Sequence, residues 1–391
     1  MFRILHLVND EKFIDRGISL FEEAFPNQNL FLIWSNDNAG KLNHIITTKQ
    51  THFRIILPDE TWWKKGFINW NDFNFIVLHN LYSPQHLYFA NIIPNSIKMV
   101  AIIYGADFYN HKSFYKEDLY GKITFGIKKS VIRKPENVLL RKMKRFYMLK
   151  TNKQYAAQNP TLKSKENAFK RIDLLATHIL PDYKNIAERF NYKPEWVNFS
   201  YYTIEDFDKI NMLNIEKIKV LIGNSATQSN NHLEVFEILK DKKDNFEILC
   251  PLNYGDTEYG DLIENQGVKL FGNQFIALRD FVTLDEFTKI QSGCGFVIMN
   301  HYRQQAAGNI IASLWMGAKV FLSERSPIYI HLKDIGCIIF TVEHDLVETN
   351  AFTSLMRTQI EINKNTLKNY YSRNTIVNAL KEKISISLND H

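Results

Sequence analysis

Cysteine is scarce in this chain. Three stand among 391 residues, Cys250, Cys294 and Cys337, far apart and in no Cys-x-x-Cys or Cys/His cluster. That excludes a disulfide framework and a zinc-ribbon site, and leaves three small core residues of a reducing compartment. Long apolar runs are missing too, since none approaches the ~20 residues of a membrane span. The opening "MFRILHLVNDEK" turns charged after one brief apolar stretch. It reads as a first strand and not as a signal peptide. There is no P-loop and no Gly-x-Gly-x-x-Gly, which argues against ATPase or dehydrogenase chemistry. A metal-binding Asp-x-Asp has one candidate, Asp206-Phe207-Asp208, inside the polar stretch Thr203–Glu216. No strand end presents it, so it reads as a solvated linker at the seam between two domains.

Positive charge is present but local. The net charge is +6, yet residues 128–153 hold ten Lys/Arg against the single acid Glu136, so that segment carries +9 and the rest of the chain −3. No nucleic-acid motif accompanies it, and no nucleic-acid partner is expected. An anionic membrane surface is the partner such a patch suits. Within "ENVLLRKMKRFYMLKTNK", Leu139, Leu140, Met143, Phe146 and Tyr147 recur at helical spacing on one face, with Arg141, Lys142, Lys144 and Arg145 largely on the others. A helix lying in the headgroup plane has that pattern. So does a helix packing its stripe on a sheet, and both readings stay open.

Short unalternating apolar runs, which suit parallel strands covered on both faces, recur along the chain. In the first half they are Phe2–Val8, Leu30–Trp34, Phe53–Leu57, Phe75–Leu78, Lys98–Ile103 and Ile172–Thr177. In the second half they are Ile218–Ile222, Phe246–Leu249, Val268–Phe271, Gly295–Met299, Lys319–Leu322 and Cys337–Phe340. Helical patterns lie between them, including Ser229–Lys240 and the capping box "TLDE" at Thr283–Glu286. The expectation is an α/β chain of two doubly wound domains. Residues 1–205 form the first and 217–363 the second. A last helix in 364–391 crosses back to the first.

Ligands of open parallel sheets sit outside the carboxyl ends of the strands. The strand "GFVIM" ends in Asn300, His301, Arg303, Gln304 and Gln305, and Gly308 and Asn309 open the next helix. Free N–H groups at a helix start attract an anion, and an arginine adds a permanent forked cation. Glu324 follows the next strand, where an acid could bind a ribose. Gly223, Asn224, Ser225 and Asn230 form a second polar turn after "KVLIGN", while Tyr254 and Glu258 follow "FEILC". This set suits a nucleoside diphosphate sugar. Acid–base groups stand at strand ends of the first half: His6 with Asn9 and Asp10, His79 with Asn80, and Gly105 with Asp107. Asp107 is the first candidate for the group that takes a proton from an acceptor hydroxyl, and His79 the second.

The segments "VLIGNSATQSNNH", "CPLNYGDTEY", "RQQAAGNIIASLWMGAKVFLSERSPIY" and "YGADFY" resemble glycosyltransferase family 56. The resemblance is strongest from Val220 to Phe340 and thin across the first domain. It implies a GT-B architecture, two facing Rossmann-like domains with a cleft between them and the donor held by the second. It implies a metal-independent hexosyltransferase without a cofactor, drawing a dideoxy-amino sugar from a dTDP donor. The acceptor it implies is a polyprenyl-diphosphate-linked glycan of O-antigen or common-antigen synthesis. The enzyme would then be peripheral, on the cytoplasmic face of a bacterial inner membrane. Two rivals remain open: a sugar-nucleotide epimerase of the same fold, and a non-catalytic sugar-nucleotide or glycan-binding subunit.

Overall fold

The computed structural model describes residues 3–46, 51–131, 138–208, 218–242 and 246–389, with side chains except at 128–131, 138–142, 284 and 387–389. The chain forms two compact units. Unit 1 comprises residues 1–115, 133–202 and 373–391, and unit 2 comprises 116–132 and 203–372. The division differs from the sequence expectation at two places: a short piece of the first half, 116–132, joins unit 2, and only the last part of the C-terminal region returns to unit 1. The break falls at Ser372, whose extended backbone separates helix Arg357–Tyr371 from helix Arg373–Asn389.

Unit 1 is a seven-stranded parallel sheet of order β3-β2-β1-β4-β5-β6-β7. The strands are β1 (Ile4–Asn9), β2 (Asn29–Trp34), β3 (Phe53–Ile56), β4 (Phe75–Leu78), β5 (Lys98–Ile103), β6 (Leu174–Thr177) and β7 (Glu195–Asn198). Alternate side chains go to opposite faces. Leu5, Leu7, Ile76, Leu78, Met99 and Ala101 build one core. Ile4, Val8, Phe75, Val77, Val100 and Ile102 build the other, under Ile376, Val377 and Leu380 of the last helix. Covering both faces requires strands apolar at every position, which is why these runs do not alternate. The edge strand β7, "EWVN", is short and half polar, and its sequence carries no such signal.

Unit 2 is a six-stranded parallel sheet of order β10-β9-β8-β11-β12-β13. Its strands are β8 (Ile218–Ile222), β9 (Phe246–Pro251), β10 (Phe275–Leu278), β11 (Phe296–Met299), β12 (Lys319–Leu322) and β13 (Phe340–Thr341). The run Val268–Phe271, expected as a strand, is instead the end of helix Thr257–Phe271. Asp256 caps that helix by accepting the Tyr259 N–H, and Tyr259, Ile263, Gly267 and Phe271 are buried at four-residue spacing. Val268 is 52% exposed, so a strand there would bury the wrong side chains. The strand follows as β10, with Phe275 packed closely against Gly267. β13 is shorter than expected, because Cys337 N–H closes a turn onto Leu332 O. The expected helix Ser229–Lys240 begins only at His232, after a 3-10 turn at Gln228–Asn230.

The piece 116–132 docks on unit 2 through polar contacts. Glu234 accepts from the Ile123 and Thr124 N–H groups at 3.0 Å each and from Thr124 Oγ1 at 2.6 Å. These satisfy free donors at the start of helix Lys122–Val131. Asn231 Oδ1 accepts the Gly121 N–H at 2.9 Å. Near the seam, Asp206 caps a 3-10 turn with Thr203, a structural use for an acid of the Asp-x-Asp pair. Asp208 follows it in the described chain, whereas the rest of the expected linker, 209–216, lies outside the described residues. The three cysteines are buried free thiols.

Candidate functional site

In each sheet the strand order reverses between two neighbours, β1 and β4 in unit 1 and β8 and β11 in unit 2. Their carboxyl ends frame the crevice where doubly wound sheets take ligands. In unit 2 the turn after β8 is tied to β11 by Gly223 N–H donating to Ile298 O at 3.0 Å. Gly223 has φ +70°, and a Cβ there would run into His232 and Asn230, so this backbone tolerates glycine alone.

Asn230 organises the turn. Its Nδ2 donates to Ser225 O at 2.9 Å and to Thr227 Oγ1 at 2.8 Å, which fixes the amide orientation. Its Oδ1 then accepts the Asn224 N–H at 3.0 Å and the His301 ring at 2.8 Å. His301 therefore carries its proton on Nε2 and leaves Nδ1 as an acceptor, buried and unpartnered. Burial holds its pKa well below the usual range, with Arg303 and His232 adding to the effect, so the ring is neutral. Gln305 joins the two strand ends: Nε2 donates to Asn224 Oδ1 at 2.9 Å, and Oε1 accepts from Ser229 Oγ at 2.6 Å. Four of the expected donor-site residues, Asn224, Ser225, Asn230 and Gln305, thus belong to one hydrogen-bonded constellation.

Helix Ala307–Met316 starts behind it. Its N-cap, Ala306, has φ +56° and no capping side chain, so the first N–H groups, which include those of Gly308 and Asn309, receive no side-chain acceptor from it. A left-handed alanine stores strain, of the kind that clusters at ligand sites. Arg303 is half-buried just ahead, with Nη1 3.4 Å from Gln304 O. Buried acceptors without a partner stand nearby in sequence, at Asn300 Oδ1 and Gln304 Oε1. His232 Nε2 is equally unpartnered beside Gly223, and burial pushes its pKa down to about 3. The ends of β8 and β11 therefore present amide donors, a guanidinium and neutral imidazoles. Such a set can hold a phosphate and orient hydroxyls.

Other expected residues of unit 2 stand apart. Tyr254 is 72% exposed; only its backbone enters the turn, its carbonyl accepting the Ala226 N–H at 2.6 Å. Glu258 is exposed in the first turn of helix Thr257–Phe271. Glu324 lies 3.4 Å from His344, and its N–H donates to Glu343. Arg325 stacks on Tyr302 at 4.1 Å and donates to Asp118 O.

Unit 1 has a directed hydrogen-bond chain at its own switch point. Asn29 Nδ2 donates to Phe25 O and Glu22 Oε1, so Asn29 Oδ1 must accept, and His6 Nε2 donates to it at 3.0 Å. His6 Nδ1 then accepts from His79 Nε2 at 3.0 Å, His79 Nδ1 from Tyr201 at 2.7 Å, and Tyr201 from Tyr104 at 2.7 Å. Burial drives His6 down to about 3 and His79 well below its usual value, so both rings are neutral. His79 is 1% exposed with both nitrogens engaged, and it reaches outward only through the two tyrosines. Asp107 accepts the Leu81 N–H at 2.5 Å and the Tyr104 N–H at 2.9 Å. Burial raises it to about 6 despite those bonds. Tyr201, 122 residues from His79, gave no sequence signal because the strand before it gave none. His232, Thr227 and Ser229 were missed because nothing local marks a side chain that serves a turn.

The basic residues sit on helix Val138–Thr151. Lys144 and Arg145 are exposed, whereas the side chains of Arg141 and Lys142 lie outside the described residues. Met143, Phe146 and Tyr147 are 62%, 61% and 65% exposed, so this part of the apolar stripe does not pack inward. No described helix is long and apolar enough to cross a membrane.

Comparison with curated proteins finds no match. Solved structures match in fold. A glycosyltransferase from Rickettsia africae ESF-5 is 12% identical, with 100% of this chain and 99% of that chain covered and a TM-score of 0.63. Sucrose-phosphate synthase from Thermosynechococcus elongatus is 8% identical over 100% of both chains, TM-score 0.66. Anabaena Alr3699/HepE in complex with UDP-glucose is 9% identical over 99% and 100%, TM-score 0.64. The two parallel-sheet, Rossmann-like domains are thus those of GT-B glycosyltransferases. The sequence profile described as "4-alpha-L-fucosyltransferase glycosyl transferase group 56" matches residues 177–381, which contain the whole constellation around Gly223, Asn230 and Arg303. That match spans more than half of the chain, and the protein belongs to glycosyltransferase group 56.

Proposed function

We propose that unit 2 holds a nucleoside diphosphate sugar and that the enzyme transfers its sugar to a polyprenyl-diphosphate-linked glycan of surface polysaccharide synthesis. The observation that carries this reading is the uncapped start of helix Ala307–Met316 beside Arg303, behind the glycine turn of β8. An anion there meets backbone N–H groups, a helix dipole and a guanidinium. Gly223, Asn224, Ser225, Asn230, Gln304, Gln305, Gly308 and Asn309 surround the diphosphate and sugar in this reading. Tyr254, Glu258 and Glu324 are its outer contacts to sugar, base or ribose. Arg303 stabilises the charge that grows on the leaving diphosphate, so the reaction proceeds without a metal ion.

A dTDP-linked 4-acetamido-4,6-dideoxygalactose is our first donor. It is a fucose bearing an acetamido group at carbon 4, which accords with the fucosyl transfer named for the family. HepE was solved with UDP and UDP-glucose, so UDP is the comparison base. In the transfer the acceptor hydroxyl bonds to the anomeric carbon as the bond from that carbon to the diphosphate breaks. The electron pair leaves with the diphosphate, and the hydroxyl proton passes to Asp107. A carboxylate raised to about 6 is well placed for this near neutral pH. The exposed Met143, Phe146 and Tyr147, with Lys144 and Arg145, support docking on the anionic cytoplasmic face of the inner membrane.

A melting panel with dTDP, UDP, GDP and CMP tests the donor reading. A nucleotide at 100 Kd stabilises by about 2.7 kcal/mol. Arg303→Ala should lower turnover by roughly 10²–10³ with the fold intact. EDTA should leave turnover unchanged. Wild-type turnover in Arg303→Ala, or nucleotide release without acceptor, would overturn the assignment.

A further inference from the structure

Unit 1 holds a polar cavity of about 210 Å³ at the carboxyl ends of β1, β2 and β3. Its wall includes Asn9, Glu11, Asn36, Gln85, Gln158 and Trp62. It is smaller than the roughly 300–1,000 Å³ of drug-sized sites and has room for one small ring. No lysine or arginine lines it, so it is not built for a phosphate. Among the described residues no group of histidines, cysteines and acids could hold a metal ion. An apolar guest would strip water from amides and a carboxylate without replacing their hydrogen bonds.

The wall is rigidly set. Asp10, which also lines it, is held by the N–H groups of Asn43, His44 and Ile45 at 2.5 to 3.1 Å. Glu11 Oε1 accepts from the Tyr82 hydroxyl at 2.9 Å, which aims the carboxylate. Asn9 Nδ2 lies 2.7 Å from Ser83 Oγ, and its buried Oδ1 has no partner. Trp34, 6% exposed and part of the same wall, has a buried Nε1 donor without a partner. One hydroxyl can satisfy a donor and an acceptor together. Planar amides and a carboxylate suit vicinal hydroxyls, and the indole of Trp62 adds apolar surface to the wall.

We propose that this cavity is a subsite for a single uncharged sugar ring, with Glu11 accepting one of its hydroxyls. Resting on the transferase reading, the ring is the terminal sugar of the acceptor. Ligand-observed saturation-transfer NMR tests it, with the methyl pyranosides of glucose, galactose, mannose and N-acetylglucosamine at tens of millimolar. Inorganic phosphate serves as the competitor. At least one pyranoside should take saturation from the wild type and resist phosphate. The Glu11→Gln/Gln158→Ala variant should weaken that binding about tenfold with an unchanged melting temperature. Gln158 is exposed, and Gln158→Ala alone provides a second variant with no cost to folding. No pyranoside signal, equal binding in both variants, or displacement by phosphate would overturn the subsite. Nucleotide stabilisation is read on the same samples. A nucleotide shift without a sugar signal overturns the subsite alone, whereas loss of both also overturns the transferase reading.

Discussion

Asp10 and Asp107 are carboxylates after strands β1 and β5 of one sheet, and their surroundings give them different work. Asp10 accepts three backbone N–H groups and anchors the 43–45 loop. Asp107 also accepts backbone N–H groups, yet it is raised to about 6, because burial outweighs those bonds. If Asp107 takes the acceptor proton it must be ionised first, so kcat/KM should climb with pH through about 6. Asp107→Asn should lower turnover by roughly 10²–10⁴ and abolish that limb. A retained limb would exclude Asp107 and turn attention to the Tyr104–Tyr201–His79 chain. The residue types of both clusters were legible in the sequence, since Asp107, His79, Arg303 and Gln305 all follow apolar runs. Their partners were not: Asn29 fixes the His6 tautomer and Asn230 that of His301, from 23 and 71 residues away.

At the scale of elements, helix Val138–Thr151 carries part of its apolar stripe outward. Met143, Phe146 and Tyr147 are all more than 60% exposed, and Lys150 stands 4.4 Å over the Phe146 ring. Each Lys/Arg near an anionic leaflet contributes ~1 kcal/mol, and the aromatic stripe adds insertion at the headgroup boundary. The protein should sediment with anionic liposomes at low salt, much less at high salt, and not with neutral ones. Replacing Arg141, Lys142, Lys144 and Arg145 with glutamine should abolish sedimentation and spare nucleotide-induced stabilisation. Equal binding by that variant would rule out the charge-driven mode. The elements themselves were largely visible as unalternating apolar runs. Val268–Phe271 misled because four apolar-rich residues fit a strand or a helix end. The capping carboxylate of Asp256 and the buried four-residue stripe decided for the helix.

For the whole molecule, buried neutral histidines set the response to acid. His6 is pushed to about 3, His86 to about 4 and His79 well below its usual value, chiefly by burial. An unfolded histidine takes a proton below about 6.5, whereas these three cannot while folded. Their contribution is complete above pH 6.5 and is lost as pH falls toward 4. Asp107 works the other way, because its folded pKa of about 6 lies above the ordinary 3.8 and folding binds its proton more tightly between the two. Near pH 5 the three histidines outweigh Asp107, so the unfolded chain binds more protons than the folded one and stability falls as the pH falls. Calorimetry between pH 7 and 4 should show a steep loss of melting temperature. A flat profile would contradict the neutral-histidine assignment.

By itself the sequence determined the two parallel sheets, the strand ends that carry polar chemistry, and the family. Each rests on a local pattern: a run of apolar residues, a glycine–asparagine turn, an arginine after a strand. Tertiary structure alone decided which segments belong together. Residues 116–132 leave the first half because Glu234 and Asn231 satisfy their free N–H groups. Residues 373–389 return to unit 1 because Ile376, Val377 and Leu380 complete a core that its sheet leaves open. A hydrogen bond or a buried face has no signature in the sequence until both of its partners are placed, and here those partners lie about a hundred residues or more apart.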